Sequence, residues 1–177
     1  MSRKSLANFE NVSLFQREKF DSDLGFFTNT YNSNMRSENF IQDSCSFINK
    51  KGTVKGMHFQ KHPFEQSKLV TVIKGEIFDY IVDLRPASET FLDHAKIVIS
   101  EENRNILFIP KGFAHGYITT RKNTLISYKI DNIYSPNHQQ SIHWQDESLA
   151  IKWPKYEKYF LSKKDRNAKK FNELNIK

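Results

Sequence analysis

TVKGMHFQKHPFEQSKLVTVIKGEIFDYIVDL, residues Thr53 to Leu84, sets His58, His62, Glu65, Lys68 and Asp79 between two apolar runs, in a chain with six histidines. Alternation across Thr53–Gln60 predicts a strand with Val54, Gly56, His58 and Gln60 on one face and Lys55, Met57 and Phe59 on the other. The proline after His62 pushes that residue out of helical geometry and opens a loop. Lys68–Ile73 reads as the next strand, and Lys74-Gly75-Glu76 as a tight connection into Ile77–Leu84. A β-structure with imidazoles and an ammonium group at its mouth is the picture this stretch predicts.

Strand signals continue on both sides. Upstream they fall at Asn11–Gln16, Phe26–Tyr31 and Phe40–Asp43, separated by Asp21-Ser22-Asp23 and Asn32-Ser33-Asn34. Downstream they fall at Lys96–Ser100, Ile106–Ile109, His115–Thr119, Leu125–Ile130 and Ser141–Trp144. Short strands at this spacing, with little helical periodicity before residue 145, predict an all-β antiparallel sandwich or barrel. Helix is expected only from about Ser162. With no internal linker or repeat, residues 1–177 read as one domain, large enough to bury a core without disulfide staples.

Composition narrows the function classes. Fifteen Phe and seven Tyr among 38% hydrophobic residues make a globular chain rich in β-formers. No run approaches the roughly 18 apolar residues of a membrane span, and one cysteine, Cys45, forms no intrachain disulfide. The N-terminal residues lack the apolar stretch of a signal peptide, so a cytoplasmic protein is expected. A net charge of +7 attracts anions such as a phosphorylated small molecule. Part of the excess lies in KKDRNAKK (163–170), and a basic tail from about residue 167 is expected to be solvated and partly frayed. No zinc-finger spacing or RNP-type strand accompanies it, so no nucleic-acid partner is expected.

Three positions stand out chemically. His58 is mid-strand, and a lone strand histidine is usually structural. The following strand, however, directs Lys68 to the same side as Val70 and Val72, where an ammonium is costly unless something negative needs it. His115 follows Pro110-Lys111-Gly112-Phe113-Ala114, a turn that delivers an imidazole to a sheet end and matches the second half-motif of the cupin barrels. A metal set of His58, His62, Glu65 and His115 is conceivable, but the spacing and the proline after His62 disfavour it. Asp165 completes Ser162-x-x-Asp165, by itself a helix-capping box, and Tyr128 and Tyr134 suit core or rim positions.

Together these motifs resemble the dTDP-4-dehydrorhamnose 3,5-epimerase family, a metal-independent branch of the cupins. The likeness rests on Val54-Lys55-Gly56-Met57-His58-Phe59-Gln60, Gln66-Ser67-Lys68-Leu69-Val70, Gly75-Glu76-Ile77-Phe78-Asp79, Val82-Asp83-Leu84-Arg85 and Ser88-Glu89-Thr90-Phe91. It continues through Ile109-Pro110-Lys111-Gly112-Phe113-Ala114-His115-Gly116, Tyr128-Lys129, Tyr134-Ser135-Pro136, Ile142-His143-Trp144, Ile151-Lys152-Trp153-Pro154 and Leu161-Ser162-x-x-Asp165. It spans about residues 9 to 166.

The resemblance implies a cupin jelly-roll barrel, a homodimer, no cofactor and no metal. The implied substrate is a nucleotide-diphosphate 4-keto-6-deoxy sugar, inverted at carbon 3, carbon 5 or both. By the same likeness His58 is the base, Asp165 its carboxylate partner, Lys68 the stabiliser of the enolate and Tyr128 the acid on the opposite face. Lys55, Gln42, Gln60, His115, Phe26 and Tyr134 are implied to contact substrate. The chain departs from the family pattern in places: Leu24 replaces an arginine, Asn29 a glutamate, Lys55 the arginine before the Gly-Met-His run, and Ser44-Cys45 the Asn-His after Gln-Asp. These departures raise the expectation of a different nucleotide, a different sugar or a single inverted carbon. A sugar-nucleotide ketoisomerase and a non-catalytic carbohydrate-binding cupin are the alternative readings.

Overall fold

A computed structural model describes residues 2–6, 8–174 and 176 (backbone alone for Ser2 and Arg3). In chain order the strands are β1 (Ser2–Ser5), β2 (Ser13–Gln16), β3 (Phe20–Ser22), β4 (Gly25–Phe27), β5 (Gln42–Ile48), β6 (Val54–Gln60), β7 (Lys68–Lys74), β8 (Glu76–Asp83), β9 (His94–Ser100), β10 (Asn105–Ile109), β11 (Phe113–Thr119), β12 (Thr124–Ile130) and β13 (Gln139–Ser141). Among the described residues the one α-helical turn, α1 (Lys163–Arg166), comes late in the chain.

Non-sequential strands are neighbours, as in a wound jelly roll. A six-stranded sheet runs β1-β2-β10-β7-β12-β5 and a five-stranded sheet β13-β6-β11-β8-β9, while β3 and β4 form a separate hairpin. The larger sheets face each other. Val70, Val72, Leu107, Ile109 and Ile126 of the first interleave with Ile77, Ile81, Ile97, Ile99 and Tyr117 of the second. Each fully buried Val or Ile there contributes on the order of 1.5–3 kcal/mol.

Both sheets are also covered outside. Val54, Met57, Tyr80, Val82, Ala114 and Ile118 pack under Ile142, Trp144, Leu149 and Leu174. Phe15, Leu69, Ile106 and Phe108 pack under Met35, Tyr31 and Phe40. Central β11 is therefore buried at every position, and its run of apolar, small and aromatic residues reflects two covered faces.

The structure corrects the sequence reading in four places. Asp21-Ser22-Asp23 is not a separator: Ser22 pairs with Gly25 in the β3–β4 hairpin, and the expected strand Phe26–Tyr31 ends at Phe27. The strand expected at Phe40–Asp43 runs instead from Gln42 to Ile48. The segment after residue 167 is docked rather than frayed: Lys169 bridges Ile142, His143 N–H donates to the Lys169 carbonyl at 2.7 Å, and Leu174 is buried. Apolar Phe171 and Leu174 seat that segment against the sheet despite its charge.

The fourth correction concerns β6. Lys55 opposes Tyr117 while His58 opposes His115, so three steps on β6 answer two on β11. That is a β-bulge. Gly56 takes φ +116°, and a Cβ there would lie 2.4 Å from Gly116 Cα. Simple alternation therefore fails. Val54 and Met57 both enter the outer cluster, and directly opposed residues share a face, so Lys55 and His58 both lie on the barrel side with Tyr117 and His115.

Candidate active site

His58 is placed by the bulge, and its partner comes from α1. His58 Nε2 lies 2.5 Å from Asp165 Oδ1. Ser162 caps the turn by accepting the Asp165 N–H at 3.1 Å, and its hydroxyl donates to Asp165 Oδ2 at 2.6 Å. The Gly56 N–H adds a longer bond to Oδ1 at 3.4 Å. The capping motif and the imidazole partner are thus one structure, with the cap orienting the carboxylate. Burial pushes the Asp165 carboxyl up, but the bonds from His58 and Ser162 outweigh it and hold the carboxyl below its usual value. Burial lowers His58 below 6.5, against the pull of Asp165 and aided by Lys68 and Lys164. A neutral imidazole that donates its Nε2–H to a carboxylate keeps the Nδ1 lone pair as its basic site.

A second carboxylate–imidazole pair stands on the same inner wall. His115 Nε2 lies 2.8 Å from Oδ2 of fully buried Asp79, while Asp79 Oδ1 has no hydrogen-bond partner among the described residues. Burial pushes the Asp79 carboxyl up, offset by His115 and Lys68. Lys68, at the start of β7, is lowered to about 8 by burial, with Asp79 acting against the shift. Its ammonium is therefore cationic at neutral pH but poorly solvated, suited to negative charge that appears during reaction.

Tyr128 supplies the opposite wall. It lies on β12 across from Val70 and Ser44, packs against the inter-sheet core, and donates from Oη to Tyr117 Oη at 2.9 Å. Burial holds it well above 10. The six-stranded sheet thus presents Tyr128 and Lys68 towards His58, His115 and Asp79 of the five-stranded sheet. Gln42, whose amide donates to Ser44 Oγ at 2.9 Å, continues this inner face along β5. Over the barrel end, an open cleft of about 460 Å³ is lined by Phe59, Gln60, His62, Lys68, Arg85 and Phe113 among others, a size typical of small-ligand sites.

Not every expected residue joins the group. Gln60 is buried, with its amide donating to the Phe64 and Ile133 carbonyls at 2.6 and 3.0 Å and accepting from Ser135 N–H at 2.7 Å. It clamps two loops at the cleft wall. Tyr134 is exposed, its hydroxyl on Gln139 at 2.8 Å, and Phe26 is exposed on the hairpin. The four residues weighed as metal ligands are not brought together: His58 and His115 each face a carboxylate, and His62 meets Glu65 at the surface at 3.3 Å. Among the described residues, no group of three or more His, Cys, Asp or Glu side chains could hold a metal ion. Asp79 and Tyr117 were given no role from sequence. Two-residue spacing from His115 puts Tyr117 on the same strand face, the signal that could have found it.

Comparison with known proteins places the chain in a family. A profile described as dTDP-4-dehydrorhamnose 3,5-epimerase matches residues 7–173. The chain is 37% identical to the enzyme of that name from Sinorhizobium fredii, over 93% of this chain and 87% of the relative. It is 36% identical to that from Methanothermobacter thermautotrophicus, over 94% and 92%. The crystal structure of the Bacillus anthracis enzyme with TDP and pyrophosphate bound superposes with a TM-score of 0.90 at 39% identity, covering 96% of this chain and 99% of that one. The Legionella pneumophila enzyme in complex with dTDP-4-keto-L-rhamnose gives 0.89 at 34%, covering 94% and 91%. On the fold, the facing walls of the barrel and these likenesses, the chain belongs to the dTDP-4-dehydrorhamnose 3,5-epimerase family, cupin jelly rolls that act as epimerases on nucleotide-linked 4-keto-6-deoxy sugars.

Proposed function

We propose that this epimerase inverts both carbon 3 and carbon 5 of a dTDP-linked 4-keto-6-deoxyhexose, with His58 as base and Tyr128 as acid. The observation that carries the reading is the pair of proton-transfer groups on opposite inner walls, one activated by Asp165 and the other held protonated by burial. His58 Nδ1 removes the proton beside the ketone, and Asp165 stabilises the resulting imidazolium. The electron pair moves into the carbonyl, giving an enolate whose oxygen is met by the Lys68 ammonium, with His115 beside it. Tyr128 then delivers its proton to the other face of the carbon. Base and acid on opposite faces produce inversion, whereas one group acting alone would restore the starting centre. Lys55, brought to the inner face by the bulge, is the cation for the diphosphate. The dTDP carrier is supported by the relatives solved with TDP and a dTDP-sugar.

A homodimer belongs to the same reading. An isolated two-stranded ribbon is marginal in water, yet β3–β4 displays Phe20, Leu24, Phe26 and Phe27 to solvent. The edge strand β5 and its approach likewise expose Ile41 and Phe47. A second copy would cover these surfaces and could bring Phe26 to its partner's substrate.

The test is NMR in deuterated water with 4-keto-6-deoxyhexoses linked to dTDP, CDP, GDP or UDP. Deuterium should enter at carbons 3 and 5 with the ketone unmoved, and fastest on the dTDP sugar. His58→Asn should lower exchange by about 10²–10⁴-fold, the usual worth of a general base. Tyr128→Phe should keep exchange while losing inversion. Equal loss of both in Tyr128→Phe would refute the two-wall scheme, and a clear preference for another nucleotide would refute the carrier.

A further inference from the structure

One concentration of positive charge lies away from the cleft. The turn 49–53 between β5 and β6 is held against the end of β11: Gly52 N–H donates to the Thr119 carbonyl at 2.8 Å, and Thr53 N–H to the Thr119 hydroxyl at 3.0 Å. Phe113, at the other end of β11, and Gln60, at the other end of β6, line the cleft. Residues 152–160 are laced onto the same turn, with Phe160 N–H on the Gly52 carbonyl at 3.0 Å and Val54 N–H on the Phe160 carbonyl at 2.9 Å. Turn and segment therefore form one surface at the barrel end remote from the reaction. Lys50, Lys51, Lys152, Lys155 and Lys158 are all exposed on it, and Glu157 is its one acid. Lys50 Nζ lies 4.6 Å and Lys158 Nζ 5.4 Å from the centroid of the same Phe160 ring, and Lys51 Nζ 5.0 Å from that of Tyr156. Two ammoniums sharing one ring are at most about 10 Å apart, close to the screening length of physiological salt, so they repel. Among the described residues none of these five lysines pairs with a carboxylate, whereas Arg121 engages Glu101 and Glu102. Ring contacts fix the ammoniums but leave their charge unbalanced, a surface that attracts anions.

We propose that this surface seats the enzyme on an anionic lipid bilayer, resting on the headgroups without crossing them. Every cation of the two segments is a lysine, a hydrated point charge with no rigid fork, which suits headgroups that move rather than one fixed anion. Trp153, Tyr156 and Tyr159 alternate with the lysines, the mixture of aromatic and basic residues found at membrane interfaces. Each lysine close to such a surface favours binding by about fivefold. Duplex DNA is the less suited polyanion, because the two segments hold no arginine, the commonest reader of base edges. The cleft opens at the opposite end of the barrel, so substrate and product exchange with water while the enzyme is seated.

The test is sedimentation of the full chain with vesicles of phosphatidylcholine alone and of phosphatidylcholine mixed with phosphatidylglycerol, beside thermal melts and the epimerase assay. The parent should sediment with the anionic vesicles only and be released as salt rises. Lys50→Gln and Lys158→Gln should each weaken that binding about fivefold. Lys50→Glu combined with Lys158→Glu should abolish it while epimerase activity stays at the parent level. The same change of net charge made elsewhere, by Lys169→Glu with Lys170→Glu at two exposed positions, should leave most of the binding in place. Equal loss in both pairs overturns the proposal, because net charge alone would then account for the binding. So does a parent that binds neither vesicle or both alike, and so does one that binds duplex DNA more tightly than anionic vesicles at the same salt. Should the doubly reversed chain melt early, the two glutamine variants decide.

Discussion

In the proposed reaction Lys68 and His58 carry opposite requirements for protonation, and their surroundings move both towards neutrality. The base works only when neutral, and burial lowers His58 below 6.5 despite Asp165, so activity should be lost only as pH falls below that value. The ammonium works only when charged, and burial brings Lys68 down to about 8, so activity should decline as pH rises through that region. A bell-shaped kcat/KM profile between these limits is expected. Lys68→Arg, whose guanidinium stays charged, should remove the alkaline limb and keep the acid one, at a lower plateau because a planar fork does not replace a point charge. Profiles unchanged by that substitution would separate Lys68 from the reaction. At this scale much was legible from sequence. A lysine among valines and a histidine entering a strand announce themselves by their misfit with apolar neighbours. Asp165 was not separable from a helix cap, because its carboxylate takes part in both arrangements.

The bulge in β6 is the element on which the site's geometry depends. Gly56→Ala would drive a methyl into the Gly116 backbone and force a side chain into a left-handed φ. The expected outcome is a loss of about 1–3 kcal/mol in stability, as for other overpacked positions, together with loss of exchange as His58 is displaced. Thermal melts and the deuterium assay read the two effects, and parent-like values in both would remove the bulge from the account. Strands such as Lys68–Lys74 and Glu76–Asp83 were readable to within a residue because their alternation and the glycine turn between them agree. The length of β5 was hidden because its inner face carries Gln42, Ser44 and Ser46, polar residues that mimic a loop. The register of β6 was hidden because a bulge leaves no mark on a period of two beyond a single glycine.

For the whole molecule, the exposed β3–β4 hairpin is the feature that a single chain leaves unexplained. Replacing Phe26 and Phe27 together by serine should convert a homodimer, seen as twice the chain mass by light scattering, into monomer while the fold survives. A parent protein that is already monomeric would remove the second copy from the proposal. The jelly-roll class followed from strand spacing and the family likeness, whereas the hairpin was obscured by turn-forming residues within β3 itself. The docking of Asp165 from beyond residue 160 has its own consequence. A polypeptide clipped before Ser162 would retain the residues of every strand, yet its imidazole would lack a counter-charge. On the proposed mechanism, competence arrives only once the closing segment has settled on the barrel, so trimming or crowding that segment should silence the enzyme and leave the strands' sequence untouched.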